Sequence, residues 1–372
     1  MRFETKAIHA GLDIDNHSGS VVPPITPSTI YEIDPEGRKN SDYLYTRLGN
    51  PNRKQLEHLI AELEGGEASA VFSSGIAAAL AVLQSLSPGD HILVPEDVYA
   101  GNRKMMKGIM EPWGLKIDFI DITSLDQLEK FARPETRLVW IETPSNPLLR
   151  ITDLEAVIGW AKSRNILTCV DNTWPTPVNL RPFEFGADYI VHSSTKYFGG
   201  HSDLLGGAVA AREESDHFEK IRFIQKMGGA VPSPQDCWML SRSIRTLAYR
   251  MRGHNEHAAQ IAEFLKSHPK IESVFYPGLP EHPGHEIAKK QMRGFGGMIS
   301  FLIVGGEKDA IRITSKAKII KRATSLGGVE STWEYRRATE GPESVAPENL
   351  IRLSVGLEHP EDLIEDISQA LG

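Results

Sequence analysis

The chain has 372 residues, 40% of them hydrophobic and 24% charged, a composition that excludes a disordered, collagen-like or disulfide-stapled protein. Lys+Arg 41 against Asp+Glu 49 leaves a formal net charge of −8, the wrong sign for a protein whose main task is to neutralise nucleic-acid phosphates. No run of ~18 apolar residues is available to span a membrane, and the N-terminal MRFETKAIHAGLD has no apolar signal core, so a cytoplasmic protein without membrane or nucleic-acid partners is expected.

Residues 1–50 show little periodicity and carry the proline-rich VVPPITPSTIY (21–31) and then YLYTRLGNPN (43–52). An arm of this length needs an anchor, such as a second subunit. From Arg53 the pattern is regular: Leu56, Leu59, Ile60 and Leu63 recur at helical spacing, and Gly65-Gly66 ends the helix. Strand-like runs follow at ASAVF (68–72), HILVP (91–95), KIDFI (116–120), RLVWIE (137–142), ILTCV (166–170), DYIVH (188–192) and GGAVAA (206–211). Helical segments fill the gaps, as in DLEAVIGWAK (153–162), with Leu154, Val157, Ile158 and Ala161 on one side. Continuous apolar strands alternating with helices indicate an α/β fold with a mainly parallel sheet covered on both faces. Longer helical segments run from about 212 to about 268, followed by MISFLIV (298–304), IRLSVGL (351–357) and a final amphipathic helix at 360–371. The expected division is an arm at 1–50, an α/β domain at 51–240 and a smaller α+β domain at 241–372.

Several familiar site patterns are missing. There is no GxxxxGKS/T loop, HExxH pair or GxSxG elbow, and the glycines of MRGFGGM (292–298) precede a strand rather than a helix. The pairs His254/His257 and His282/His285 are what chance provides among 13 histidines, and two cysteines, Cys169 and Cys237, are too few for a zinc site; no metal is expected. The informative stretch is 169–211. Asp171 follows an apolar run, which places a carboxylate at the C-terminal end of a buried strand, where open α/β sheets bind ligands. Such a carboxylate needs a partner or takes up a proton. Lys196 also follows a strand, with Ser193, Ser194 and Thr195 before it and Gly199-Gly200 after. A lysine so placed suits a Schiff base to a carbonyl cofactor, with hydroxyls on a phosphate and the aspartate on a pyridinium nitrogen. An exposed loop lysine beside an N-capping serine run satisfies the same spacing.

The stretch resembles the pyridoxal-phosphate (PLP) lysine signature of the Cys/Met-metabolism, or trans-sulfuration, enzymes, the family of cystathionine γ-synthases, cystathionine lyases and methionine γ-lyases. AIHAG (7–11), PPITPSTIY (23–31), YTRLGNPN (45–52), SSGIAAA (73–79), ETPSNPLL (142–149), SLGGVES (325–331) and IRLSVGLE (351–358) fall in that family's order and near its spacing. The resemblance implies the PLP-dependent transferase fold (fold type I) and pyridoxal 5′-phosphate as cofactor. It implies that Lys196 carries the cofactor and shuttles protons, and that Asp171 pairs with the ring nitrogen. The amides of Gly75 and Ile76, at a helix N-terminus, would cradle the phosphate, with hydroxyl bonds from Ser193 and Thr195. Tyr45 and Arg47 would reach the same phosphate from a neighbouring subunit.

By the same resemblance Tyr99 stacks on the cofactor ring and moves protons, and Asn146 contacts the cofactor's phenolic oxygen and the substrate. Arg352 clamps the substrate α-carboxylate, a bidentate geometry that a guanidinium favours, with Ser325 assisting. Three departures from the family pattern lie where the distal part of a substrate is expected: Thr324 before the SLGG serine, Ala100-Gly101 after Tyr99, and STWEYRRATEGPES (331–344). The implied activity is γ-elimination or γ-replacement on cystathionine or an activated homoserine, in a homotetramer built from dimers that share active sites. Alternatives are a cystathionine β-lyase, a γ-lyase for another γ-substituted amino acid such as canavanine, and, in a different class, a non-catalytic PLP-binding regulatory protein.

Overall fold

The seven apolar runs between residues 68 and 211 join into one sheet in the computed structural model, which describes residues 1–12, 19–39, 41–341, 344 and 346–372. The strands are β1 (Ala68–Phe72), β2 (His91–Pro95), β3 (Lys116–Ile120), β4 (Thr136–Glu142), β5 (Leu167–Asp171), β6 (Tyr189–His192) and β7 (Gly207–Ala211), in spatial order β1-β7-β6-β5-β4-β2-β3. Only β7 runs antiparallel to its neighbours; β6, β5, β4, β2 and β3 pair in parallel. Every residue of β1, β2 and β7 is buried, as expected of strands covered on both faces.

A second sheet, of β8 (Ile271–Phe275), β9 (Met298–Ile303), β10 (Lys321–Arg322), β11 (Thr332–Tyr335) and β12 (Leu350–Ser354), has the order β10-β11-β12-β9-β8. Sequence reading located β9 and β12 and missed the other three. β8 is an edge strand with Glu272 and Ser273 exposed, and β10 is two exposed residues long, so neither has an apolar run. β11 places Glu334 between Trp333 and Tyr335, and its burial depends on charge pairing that no hydropathy pattern shows. The first 50 residues also hold a helix, Phe3–His9, that was read as unpatterned; only Ala7 of it is buried, too little to register as an apolar face.

The helix Pro51–Glu64 ties the arm to the sheet. Asn50 caps it, accepting from the backbone N–H of Asn52 and Arg53, and Pro51 occupies the first turn, where no N–H is needed. Leu56, Leu59, Ile60 and Leu63 are all buried. Gly65 terminates the helix at φ 80°, and a side chain on Gly66 would meet the Ala211 carbonyl at 2.4 Å, so helix and β7 lie in direct contact. The last residue, Glu64, reaches between the strand ends: His192 Nε2 donates to its Oε1, and Asn172 Nδ2 donates to the same oxygen at 3.2 Å and to the Leu180 carbonyl at 3.0 Å. His192 also stacks on Phe198, with ring centroids 4.4 Å apart. Asn172 directly follows Asp171, and His192 directly precedes Ser193. This buried cluster therefore sets the positions of two strand ends at once.

Leaving buried hydrogen-bonding groups such as these without a partner typically costs about 1–3 kcal/mol. Glu64→Ala is expected to lower unfolding stability by about that amount, and Glu64→Gln, which keeps acceptors for His192 and Asn172, by clearly less. Urea unfolding of the three proteins side by side checks this. A loss under about 1 kcal/mol for the alanine variant, the range of ordinary surface changes, would contradict it.

Candidate active site

The C-terminal ends of β2, β4, β5 and β6 and the start of the helix Gly75–Gln84 face the small sheet across a cavity of about 310 Å³. The cavity brings together Gly75, Ile76, Tyr99, Asn146, Asp171, Ser193, Thr195, Lys196, Thr324, Ser325 and Arg352, residues spread over nearly 280 positions of sequence. Tyr45 and Arg47 are not among them. Within one chain Arg47 lies over the Tyr45 ring and donates to the Lys226 carbonyl at 2.7 Å, outside the cavity.

Lys196 sits in the turn after β6, and its Nζ donates to Ser325 Oγ at 2.6 Å. Burial, then the nearby charges of Arg352 and Arg336, bring its pKa down to about 8. Ser325 has a φ of 90°, a conformation that costs a residue other than glycine about 1–3 kcal/mol, and this holds its hydroxyl toward the lysine. Arg352, on β12, donates through NH1 to Asn146 Oδ1 at 2.9 Å and through NH2 to Glu334 Oε1, and its guanidinium lies 5.9 Å from the Trp174 ring. Burial, then the charge of Arg336, brings Arg352 down to about 10.

Two acids mark the strand ends. Asp171 closes β5; burial pushes its carboxyl up, partly offset by Thr173, whose N–H donates to Oδ1 at 3.1 Å. Glu142 closes β4; burial, then the charge of Asp171, push it well above the usual carboxylate range, although the Tyr99 N–H donates to it at 2.9 Å. Both therefore favour a proton or a cation nearby. Tyr99 itself is 40% exposed at the cavity edge.

The helix Gly75–Gln84 is capped by Ser74, whose hydroxyl accepts from the Ala77 N–H at 3.1 Å. The N–H groups of Gly75 and Ile76 precede that bond in the first turn, and both residues line the cavity. A side chain on Gly75 would lie 2.7 Å from Ser193 Cβ, so glycine is what lets the helix start close against β6. Ser193 donates its N–H to Thr173 Oγ1 at 2.9 Å. Thr195 lines the cavity, but its hydroxyl is engaged with Gly206, donating to the carbonyl at 3.2 Å and accepting from the N–H at 3.0 Å.

Sequence reasoning assigned no role to Glu142, Trp174, Glu334, Arg336 or Glu340. Glu334 stands directly opposite Arg352 in the β11–β12 ladder, and Arg336 and Glu340 follow it into the cavity wall. The signal was partly present: in Thr-Trp-Glu-Tyr, strand alternation puts Trp333 and Tyr335 on one face and Glu334 on the other. The register that sets it against Arg352 is a tertiary fact.

A sequence model for the Cys/Met metabolism PLP-dependent enzymes matches residues 4–372. The chain is 42% identical over 374 residues to a cystathionine gamma-synthase of Mycobacterium tuberculosis, covering 99% of this chain and 96% of that protein. It is 43% identical over 379 residues to a cystathionine gamma-lyase of Bacillus subtilis, covering 100% of this chain and 99% of the other. Among solved structures, metB from Corynebacterium glutamicum superposes with a TM-score of 0.97 at 40% identity, over 100% of this chain and 98% of that one. A match that runs from end to end, in sequence and in fold, and takes in the lysine, the strand-end acid and the buried arginine together leaves one assignment: the chain belongs to the Cys/Met metabolism PLP-dependent enzymes.

Proposed function

We propose that this chain binds pyridoxal 5′-phosphate at Lys196 and removes or replaces the group on the γ-carbon of an L-amino acid, cystathionine or an activated homoserine being the substrate class. The observation that carries the reading is a buried lysine with a pKa of about 8 in one cavity with Asp171 and Arg352. The residues present fit the cofactor. The bare amides of Gly75 and Ile76 at a helix N-terminus, beside the Ser193 hydroxyl, suit a phosphate. Asp171, raised by burial, suits a protonated ring nitrogen. Thr195, with its hydroxyl held by Gly206, would shape the phosphate loop more than donate to it.

When bound, the cofactor supplies an electron-poor ring that stabilises negative charge at the substrate α-carbon. Arg352 and Asn146 would orient the α-carboxylate so that the Cα–H bond faces Lys196. At pH 7 a pKa of about 8 leaves roughly a tenth of Lys196 Nζ neutral, against about one part in three thousand at the ordinary 10.5, so it can take and return a proton. Tyr99, at the cavity edge, would cover the ring and assist that transfer. In this division of labour the α/β part, 51–240, holds the cofactor and 241–372 supplies Ser325 and the carboxylate clamp.

The same reading makes the site shared between chains in a homotetramer of paired dimers. Tyr45 and Arg47 lie outside their own chain's cavity, and the arm around them exposes Val21, Ile30 and Leu44, while Leu205 exposes its side chain at the cavity. A second copy placing its arm over this cavity would bury that apolar surface and bring the Tyr45 hydroxyl and the Arg47 guanidinium to the phosphate.

Three outcomes are expected. Borohydride reduction of the PLP-loaded protein followed by peptide mapping should place the pyridoxyl group on Lys196; a label on another lysine removes the basis of the reading. Mixing inactive Lys196→Ala and Arg47→Ala proteins should restore activity through hybrid oligomers, whereas a fully active monomer at assay concentration would contradict a shared site. The third outcome concerns pH. In the cofactor-free protein an unfolded lysine keeps its proton to 10.5 and the folded one only to about 8, a penalty of about 3 kcal/mol at pH 7. Because the folded pKa is the lower one, that penalty is full below about pH 8 and fades toward 10.5. Lys196→Met should therefore be more stable than the parent at pH 7, with the gap closing between pH 8 and 10.5 in urea titrations.

A further inference from the structure

We infer that a second cavity, between the N-terminal arm and the helix Pro234–Ile244, is a binding site for a small organic anion: a carboxylate carried on a short apolar body. The site is separate from the one proposed for the chemistry at Lys196, because no residue lines both cavities.

The cavity measures about 160 Å³, and its walls come from the arm, from the helix Pro51–Glu64 and from the helix Pro234–Ile244. Leu12, Val22, Leu59 and Trp238 supply apolar surface. Trp238, Arg242 and Arg245 stand at i, i+4 and i+7, which puts them on one face of their helix. The arm holds that face in place: Trp238 Nε1 donates to the Pro23 carbonyl at 3.0 Å. Asn52 spends its amide on the arm as well, accepting from the Thr26 N–H at 2.9 Å and donating to the Pro24 carbonyl at 2.8 Å. The walls are therefore fixed by bonds that leave the two arginines unused.

Among the described residues, neither Arg242 nor Arg245 has a hydrogen bond or an ion pair, and the side-chain amide of Gln55 beside them has none either. Asp and Glu outnumber Lys and Arg in this chain, 49 to 41, yet no described residue lining this cavity is acidic. Arg245 is half-buried, and burial lowers its pKa with no neighbouring charge to offset the loss of water. Two like charges three residues apart on a helix also repel. Guanidinium groups donate and never accept, so the partner that relieves both must bring acceptors. A carboxylate does so in the bidentate geometry that the planar fork favours, through bonds roughly twice as strong as neutral ones. A cation adds to the repulsion, and a neutral apolar molecule leaves it unchanged. Size follows from the volume, since an apolar cavity of about 150 Å³ is enough to hold benzene. A single-ring carboxylate, its ring against Leu59 and Trp238 and its charge on the arginines, is the class that fits.

The test uses the PLP-loaded protein and four probes: benzoate, benzyl alcohol, benzylamine and acetate. Isothermal titration calorimetry gives the dissociation constants, and cofactor absorbance in the same samples reports any occupancy of the Lys196 cavity. Benzoate should bind at least about tenfold more tightly than each of the other three without changing the cofactor spectrum, since a charge-assisted hydrogen bond and the burial of a ring each supply about that factor. Arg245→Met should weaken benzoate at least about tenfold and leave benzyl alcohol unchanged. Arg242→Glu, at an exposed position, should weaken benzoate by at least as much, and it stands as the test if Arg245→Met does not fold. Benzoate bound no more tightly than benzyl alcohol or benzylamine shows that the cavity does not select an anion and overturns the inference. Acetate bound as tightly as benzoate removes the apolar body from it and overturns it equally. Benzoate binding that shifts the cofactor spectrum, survives both substitutions or is absent from the parent also overturns it.

Discussion

Glu334 is the charge on which the small-sheet side of the cavity depends. Arg352 and Arg336 both lie in the interior and both donate to its Oε1, while Thr339 donates to its other oxygen at 2.8 Å. Burial alone would raise this carboxyl, but Arg352 and then Arg336 reverse the effect and hold it below its ordinary value. Without that anion two guanidiniums and Lys196 would share one desolvated space, where repulsion between cations is several times stronger than in water. The network is costly to build, because each charge leaves water. What it secures is orientation: Arg352 is held with Asn146 on its other nitrogen, and Arg336 is fixed through Nε by Glu340 and through NH1 by Glu334.

The large sheet meets this network with a different kind of order. Parallel strands end side by side, so the residues that follow β2, β4, β5 and β6 converge on one edge without any of them being near in sequence. Local strain and close approach then sharpen the placement. Ser325 accepts a left-handed backbone to bring its hydroxyl to Lys196 Nζ, and Gly75 allows the helix to begin against Ser193. Behind the edge, Glu64 joins His192 and Asn172, so the helix that leaves the N-terminal arm also sets the strand ends that carry Asp171 and Ser193.

The electrostatics of the cavity follow from its dryness. Lys196 loses proton affinity for the same reason that Asp171 and Glu142 gain it: each is removed from water, and the charged form suffers. The strand-end acids favour a cationic neighbour, and the lysine keeps a neutral fraction near pH 7. Groups pushed in opposite directions within one cavity are the arrangement that proton-transfer chemistry requires.

Much of this was legible in the residues alone. The apolar runs predicted β1 and β2 to the residue, because strands buried on both faces need no tertiary information to be recognised, and the alternating KIDFI located the edge strand β3 as well. Asp171 and Lys196 were readable as strand-end groups, and the ordered motifs pointed to the family. The sequence also marked STWEYRRATEGPES as unusual, although residues 342 and 343 of that stretch lie outside the described structure. Only the tertiary structure decided what the unusual segment does. Glu334, Arg336 and Glu340 read as ordinary surface charges until the β11–β12 register sets Glu334 against Arg352, and register depends on which strand pairs with which. The lowered pKa of Lys196 and the engagement of Thr195 by Gly206 were equally invisible, since desolvation and competing hydrogen bonds are properties of the packed neighbourhood rather than of the chain.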